Sequence, residues 1–422
     1  MINFKLLSTL SSGIPFAIVL LYVLDFFSPH MQVKNALMSA DLSLSLELQS
    51  GGNIVKQLFW ITALFVSFWY FLRNKIFELK LNREQLIFAG LVLFLFVSSL
   101  WANDSGLTLK RALFQLILIL TIFFSISSIQ YHQKFLFIVY LAFSLLLVWE
   151  VAFSIIFSSF AFDISGALSG IHSGKNQFGV AAFLGCAISL QQYLNNRYMV
   201  SERNKMFALM TLFGWIVLLL LSRSKTCIFL AIVVLLFFII RRSSLNLMLF
   251  TKLFMIASTV VLSVTTFLSL YLYDDVVKIY ENIFDFVELT GRGEIWTLSL
   301  YSFSEKSLLG YGFSSFWGTG DIPYYFNVEY SYLRFLNQSH NGYLDLLLQI
   351  GIVGGALFGF FLFSFVNKGF QKQHVFYISV LFFSLMHNFT ESSFLRDQHI
   401  TWFFLLVIIF ARWFLISEKE RL

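Results

Sequence analysis

The sequence predicts an all-α polytopic membrane protein of about twelve transmembrane helices with one long extracytoplasmic loop. Three observations carry this prediction. Charged residues make up only 12% of the 422-residue chain and apolar residues 58%, whereas a soluble domain carries about 25% charge. The apolar residues fall in runs close to the roughly 20 residues that a helix needs to cross a bilayer. Those runs are continuous rather than alternating, which is the helical pattern and not that of barrel strands.

In chain order, candidate spans lie near residues 8–28, 54–72, 86–101, 112–130, 135–160, 177–194, 206–222, 226–240, 246–272, 342–366, 374–390 and 398–416. Met1 to Lys5 leads into a span that others follow, so the start reads as an anchor and not as a cleaved signal. Three regions result: transmembrane helices over 1–272, a long loop over 273–341, and further helices with a cytoplasmic C-terminus over 342–422. Asp274-Asp275, Pro323 and Tyr324-Tyr325 suggest that the loop is partly helical and partly irregular. Cys186 and Cys227 both sit in apolar runs and read as small buried hydrophobes. There is no internal repeat and no low-complexity tract.

The net charge of +6 reflects basic connectors and gives no sign of a nucleic-acid partner. Short connectors holding Arg73, Lys75, Lys80, Arg83, Arg197 and Arg203 carry the larger share of cations. The positive-inside rule makes them cytoplasmic, with both termini. The stretch from Gly291 to Gly355 then opens outward. Of the twelve cations on that outer side, three are singled out: Lys175 in His172-Ser173-Gly174-Lys175-Asn176, Arg223 in Ser222-Arg223-Ser224, and Arg292. Taken singly, Lys175 and Arg223 could each anchor a helix end to lipid phosphate. Together the three suggest an anion site, because cations near the membrane are costly unless something negative faces them.

At this point the chain resembles the O-antigen ligase/polymerase superfamily, most closely its exopolysaccharide-polymerase members. The resemblance is carried by Thr290-Gly291-Arg292-Gly293-Glu294-Ile295-Trp296, by Leu309-Gly310-Tyr311-Gly312-Phe313, and by His340-Asn341-Gly342-Tyr343-Leu344. Trp101-Ala102-Asn103-Asp104, Lys175-Asn176, Ser222-Arg223-Ser224 and Asn388-Phe389-Thr390-Glu391-Ser392 are similar to further recurring patterns. The resemblance implies a GT-C-like fold in the bacterial inner membrane. It implies metal-independent, inverting transfer of glycans carried on undecaprenyl pyrophosphate, on the periplasmic face. Polymerases add a growing chain to a new lipid-linked repeat unit; ligases transfer it to lipid A core. The resemblance assigns the pyrophosphate to Arg223 and Arg292 and the acceptor to His340. A chain-length regulator is a further partner of such polymerases.

The chemistry agrees with these assignments. Glycosyl transfer from a pyrophosphate needs charge stabilised on the leaving group and a proton removed from the incoming hydroxyl. No Asp-X-Asp pair or His/carboxylate cluster suggests a metal, so no cofactor is expected and cations must serve. Arginine is suited to phosphate by its planar fork. For Arg292 the alternative is a structural salt bridge with Glu294 or Asp285. His340 is the candidate base, since histidine titrates near neutral pH; its alternative is to cap the helix that begins at Gly342. His172 is the rival base. Lys175, Asn176, His172, Asn341, Glu391 and Tyr311 are candidate substrate-binding residues. The acids Glu150 and Glu391 could orient an arginine or bind sugar hydroxyls, or Glu150 could simply pack between helices. The aromatic residues Tyr311, Trp317, Tyr324, Tyr325, Tyr330 and Tyr332 fit a sugar-stacking groove or an interfacial belt. Repeat-unit polymerisation leads; ligation to lipid A core follows. A lipid-linked oligosaccharide flippase is a third reading, disfavoured because transporters keep repeats and midplane sites.

Overall fold

The computed structural model describes residues 11–31, 54–74, 82–194, 202–240, 292–317, 336–368, 375–397 and 399–415. Among them the regular secondary structure is helical, and Phe162 and Leu168 form an isolated antiparallel bridge. The helices are α1 (Ile14–Val23), α2 (Ile54–Asn74), α3 (Arg83–Val97), α4 (Ser105–Ser127), α5 (His132–Ile156) and α6 (Lys175–Leu194). They continue with α7 (Glu202–Leu221), α8 (Lys225–Ile240), α9 (Arg292–Glu305), α10 (Gly342–Lys368), α11 (Val375–His387) and α12 (Ile400–Phe414). The predicted span near 246–272 lies outside the described residues, as do 273–291 and 318–335 of the predicted loop.

Among the described residues, six helices are long and apolar enough to cross a membrane by themselves: α2, α3, α4, α5, α7 and α10. The helices α1, α8, α11 and α12 are apolar but shorter. The chain is therefore a multi-pass helical membrane protein. Helix α2 leaves Ile54, Val55, Leu58, Phe65 and Trp69 uncovered, an apolar face that is stable against lipid rather than water. Helix α6 is the opposite case. Its residues Phe178 to Ser189 are all buried, and it packs against α5, α7, α8, α11 and α12. Ala181, Ala182, Gly185, Cys186 and Ala187 let those neighbours approach closely, the means by which helices associate in lipid.

Polar contacts fasten both ends of the bundle. At one end Lys134, at the start of α5, donates to Ser12 beside the start of α1 (2.6 Å). At that end of α3, Glu84 pairs with Arg412 of α12, whose guanidinium also meets the Phe365 carbonyl of α10. At the other end two polar motifs of the sequence dock on each other. Asn103 N–H donates to the Tyr311 carbonyl (3.2 Å), Phe313 N–H to Ser98 Oγ (3.0 Å) and Trp101 Nε1 to the Leu309 carbonyl (3.1 Å). The same segment enters a break in α10 at Gly351, where φ is +62°. Tyr311 N–H donates to the Leu348 carbonyl and Ile352 N–H to the Ser307 carbonyl, each at 2.8 Å. A Cβ at Gly351 would sit 2.3 Å from the Leu308 carbonyl oxygen, and one at Gly310 2.7 Å from Leu348 O. Both glycines are needed for this backbone-on-backbone clasp.

Candidate active site

The turn after α11 builds the site. Asn388 is buried and spends its side chain locally: Nδ2 donates to Ser384 O (2.6 Å) and Ser393 Oγ (2.7 Å), and Oδ1 accepts from the Ser393 and Phe394 amides. Its carbonyl accepts the Gly342 N–H that opens α10 (2.8 Å). A Cβ at Gly342 would lie 1.9 Å from Asn388 Oδ1, so only glycine allows the two segments to close. That closure brings Glu391 against His340.

Glu391 is the hub. It accepts from Asn176 Nδ2 (2.9 Å), lies 3.1 Å from His340 Nδ1, and pairs with Arg292 at 3.4 Å. Asn176 in turn accepts from Ser224 Oγ (3.2 Å). The N-terminal ends of α6, α8, α9 and α10 thus converge on one carboxylate. Helix N-termini carry positive potential and present free N–H groups, which suits an anion. Burial alone would raise the Glu391 carboxyl, but the hydrogen bond and charge of His340, with His387 and Arg292, outweigh it and hold the group below its usual range.

His340 itself adopts φ +54°. Its Nδ1 also lies 3.3 Å from Gln338 Nε2, while Gln338 Oε1 accepts from Arg396. Nδ1 cannot serve both neighbours at once. Donation to the carboxylate is the shorter and charge-assisted choice, and it leaves Nε2 as the basic nitrogen. Among the described residues Nε2 makes no hydrogen bond. His340 lines a cavity of about 680 Å³ with Lys175, Asn176, Gln338, Glu391 and Arg396, and Asp163, Ser165, His387 and His399 are among the other walls. His399 Nδ1 accepts from Thr401 N–H (3.2 Å); burial, with the charge of Arg396, drives this imidazole well below its usual range.

The candidates of the sequence divide. Lys175, Asn176, His340 and Glu391 line the cavity. Arg292 reaches it through Glu391, its carboxylate partner among the described residues; of the two partners in the alternative salt bridge, Asp285 lies outside the described residues. Arg223 is exposed at φ +52° between α7 and α8, and donates to the carbonyl of the rim residue Ser165 (2.7 Å).

The helix-cap alternative for His340 is corrected. Asn341 is the cap, its Oδ1 accepting from the Tyr343 and Leu344 amides (3.1 and 3.3 Å). Tyr311 is also displaced from a sugar groove. It is buried, with its hydroxyl donating to Ser302 O (2.9 Å) and 3.1 Å from Glu305 Oε2, and Lys306 lies over its ring. Trp317 donates to Asp345 (2.7 Å); Tyr324, Tyr325, Tyr330 and Tyr332 lie outside the described residues.

His172 does not reach the cavity. It is wholly buried between Asp25 (3.0 Å) and Glu150 (3.1 Å). Burial disfavours its charge, yet the two carboxylates outweigh that and raise it to about 9. Glu150 also accepts the Ile171 N–H (3.2 Å), so the acid within α5 holds this loop and, among the described residues, pairs with no arginine.

Gln338, Arg396 and His399 were missed. The available signal was Arg396 and His399 lying within eight residues of Glu391, in the same polar break between two apolar runs. Among the described residues, no group of three or more His, Cys, Asp or Glu is placed to hold a metal ion.

Residues 207–359 match the family model described as O-antigen ligase. The matched interval includes Arg223, Arg292 and His340; Lys175, Glu391 and Arg396 lie outside it. The chain has no match among curated proteins.

Proposed function

We propose that this chain, which belongs to the O-antigen ligase/polymerase superfamily, is a polysaccharide polymerase that joins undecaprenyl-pyrophosphate-linked repeat units. The observation that carries the reading is the His340–Glu391 contact in the wall of the cavity, with Arg292 on the same carboxylate. In the proposed step the acceptor hydroxyl oxygen attacks the anomeric carbon as His340 Nε2 takes its proton. The bond from that carbon to the pyrophosphate oxygen breaks, and the electron pair leaves with the lipid pyrophosphate. Single displacement inverts the anomeric centre. Glu391 steadies the imidazolium that forms, the role a carboxylate plays behind any histidine base. Arg292, Arg223 and the converging helix ends meet the charge that builds on the leaving group, and donors of this kind are typically worth a few kcal/mol each.

The reading further places the cavity on the periplasmic face of the bacterial inner membrane, with about twelve spans and both termini cytoplasmic. The short basic connectors support it. Ligation to lipid A core is the second reading, favoured by the description of the matched family model. Purified protein in proteoliposomes, given lipid-linked repeat units alone, separates the two. A ladder of increasing chain length is the polymerase result. Transfer only when lipid A core is added, and then once per acceptor, would replace it with the ligase.

A further inference from the structure

We infer that Arg396 forms an oxyanion-binding subsite on the His340 side of the cavity, where it takes a phosphate or carboxylate group of the substrate. The inference rests on reading this cavity as the transferase site. Two other half-buried arginines have a carboxylate in contact: Arg292 has Glu391 and Arg412 has Glu84. Arg396 does not. Its guanidinium bonds to the Gln338 side-chain oxygen and the Ser392 carbonyl, both neutral, and among the described residues no carboxylate lies within 4.0 Å of it. A guanidinium presents five donors in one plane, and both of these bonds use the same nitrogen. Among the described residues no hydrogen bond engages the rest of the fork, and Arg396 stands in a wall of the cavity.

A cation set in a low-dielectric wall is costly without a counter-charge. The acids that feel Arg396 at longer range are engaged elsewhere. Glu391 serves His340, Asn176 and Arg292. Asp345 accepts from the Ser339 amide and the Trp317 indole. Asp397 is shared with Arg111 and Lys56. The missing partner is therefore supplied by what enters the cavity. Gln338 accepts from Arg396 and lies 3.3 Å from His340, which puts the bound oxyanion within one side chain of the base. Two groups of a lipid-linked glycan have this chemistry: the pyrophosphate of the carrier and the carboxylate of an acidic sugar.

The test uses full-length protein in nanodiscs and direct binding by isothermal titration calorimetry. The probes are inorganic pyrophosphate, methyl glucuronide, and methyl glucoside as the neutral control. The wild type should bind at least one anionic probe more tightly than the glucoside, and Arg396→Gln should weaken that probe about tenfold or more, the measured worth of a charged contact. Arg396→Lys keeps the charge without the fork and should fall between them. Loss confined to pyrophosphate assigns the carrier; loss confined to the glucuronide assigns an acidic sugar. Binding is read here without turnover, whereas the transferase reading is tested by chain extension in His340→Gln, so failure of that reading and failure of this subsite are separate results. Wild-type affinity for both anions in whichever Arg396 variant folds, or no preference for either anion over the glucoside in the wild type, would overturn the inference.

Discussion

Replacing Glu391 by Gln isolates the charge at the hub of the site. The two side chains have the same shape, so the closure around Asn388 and Gly342 is kept and the cavity is not enlarged. What disappears is the negative charge that faces His340 at 3.1 Å and Arg292 at 3.4 Å. A hydrogen bond to a charged group contributes about 1.5–3 kcal/mol, which is roughly 10- to 150-fold in rate at 1.4 kcal/mol per tenfold. The His340 contact strengthens as the imidazole takes up the proton, so the loss should fall on turnover and leave KM for the lipid-linked unit within about twofold. Initial rates of chain extension in proteoliposomes measure both constants. The pH dependence adds a second check. Because the folded carboxyl is held below its usual range, its contribution is complete above the ordinary carboxylate pKa of about 4.3. It is lost only as pH falls through the lower folded value. Wild-type rates should therefore show no Glu391-dependent step above about pH 5, and acidification should not restore Glu391→Gln. Unchanged turnover in Glu391→Gln, beside an inactive His340→Gln, would remove the carboxylate from behind the base.

Four further outcomes follow from the same geometry. Asn341→Ala removes the cap of α10 and should cost about 1 kcal/mol of stability with little change in turnover, whereas His340→Asn should lose on the order of a hundredfold in turnover at unchanged melting temperature; the reverse pattern would return His340 to a structural role. Arg292→Ala and Arg223→Ala should abolish long chains at normal expression, and Lys at either position should restore little because a point charge cannot reproduce the fork; wild-type chain lengths on a gel would exclude them. Chain extension should survive EDTA, and an activity lost to EDTA and restored by magnesium or manganese would move the pyrophosphate from the arginines to a metal. His172, raised to about 9, should stabilise the fold fully below its unfolded value of about 6.5 and lose that contribution as pH rises through 9; a melting temperature of the wild type that stays parallel to that of His172→Gln from pH 6 to 10 would refute the buried charge pair.

The helical class and the positions of the apolar helices were legible in the sequence because lipid imposes a simple rule: continuous apolar runs must form helices there. The rule is blunt where a helix is covered by protein. Helix α6 packs among five others, so its sequence holds Gln177, Gln191 and Gln192 and loses the apolar excess of a lipid-facing span. The break at Gly351 was also hidden. It is one residue at φ +62° inside an unbroken apolar run, and the segment that fills it comes from 40 residues earlier in the chain.

At the site, the residue types were readable but their duties were not. A polar motif beside a span advertises that it is needed and says nothing of whether it holds the backbone or the substrate. Tyr311 and Asn341 sit in motifs as prominent as that of His340, yet one closes the clasp on α10 and the other caps it. His172 shares a polar turn with Lys175, but a buried imidazole between Asp25 and Glu150 is part of the scaffold. These partners are 147 and 22 residues away, and no local pattern joins them. The Glu391–His340 contact spans 51 residues, and it became visible only once Asn388 was seen to lock the turn after α11 onto Gly342. The same logic separates Arg396 from Arg292. Both are outer cations in polar breaks, and only the distances show that Arg292 has a carboxylate in contact while Arg396, among the described residues, has two neutral oxygens.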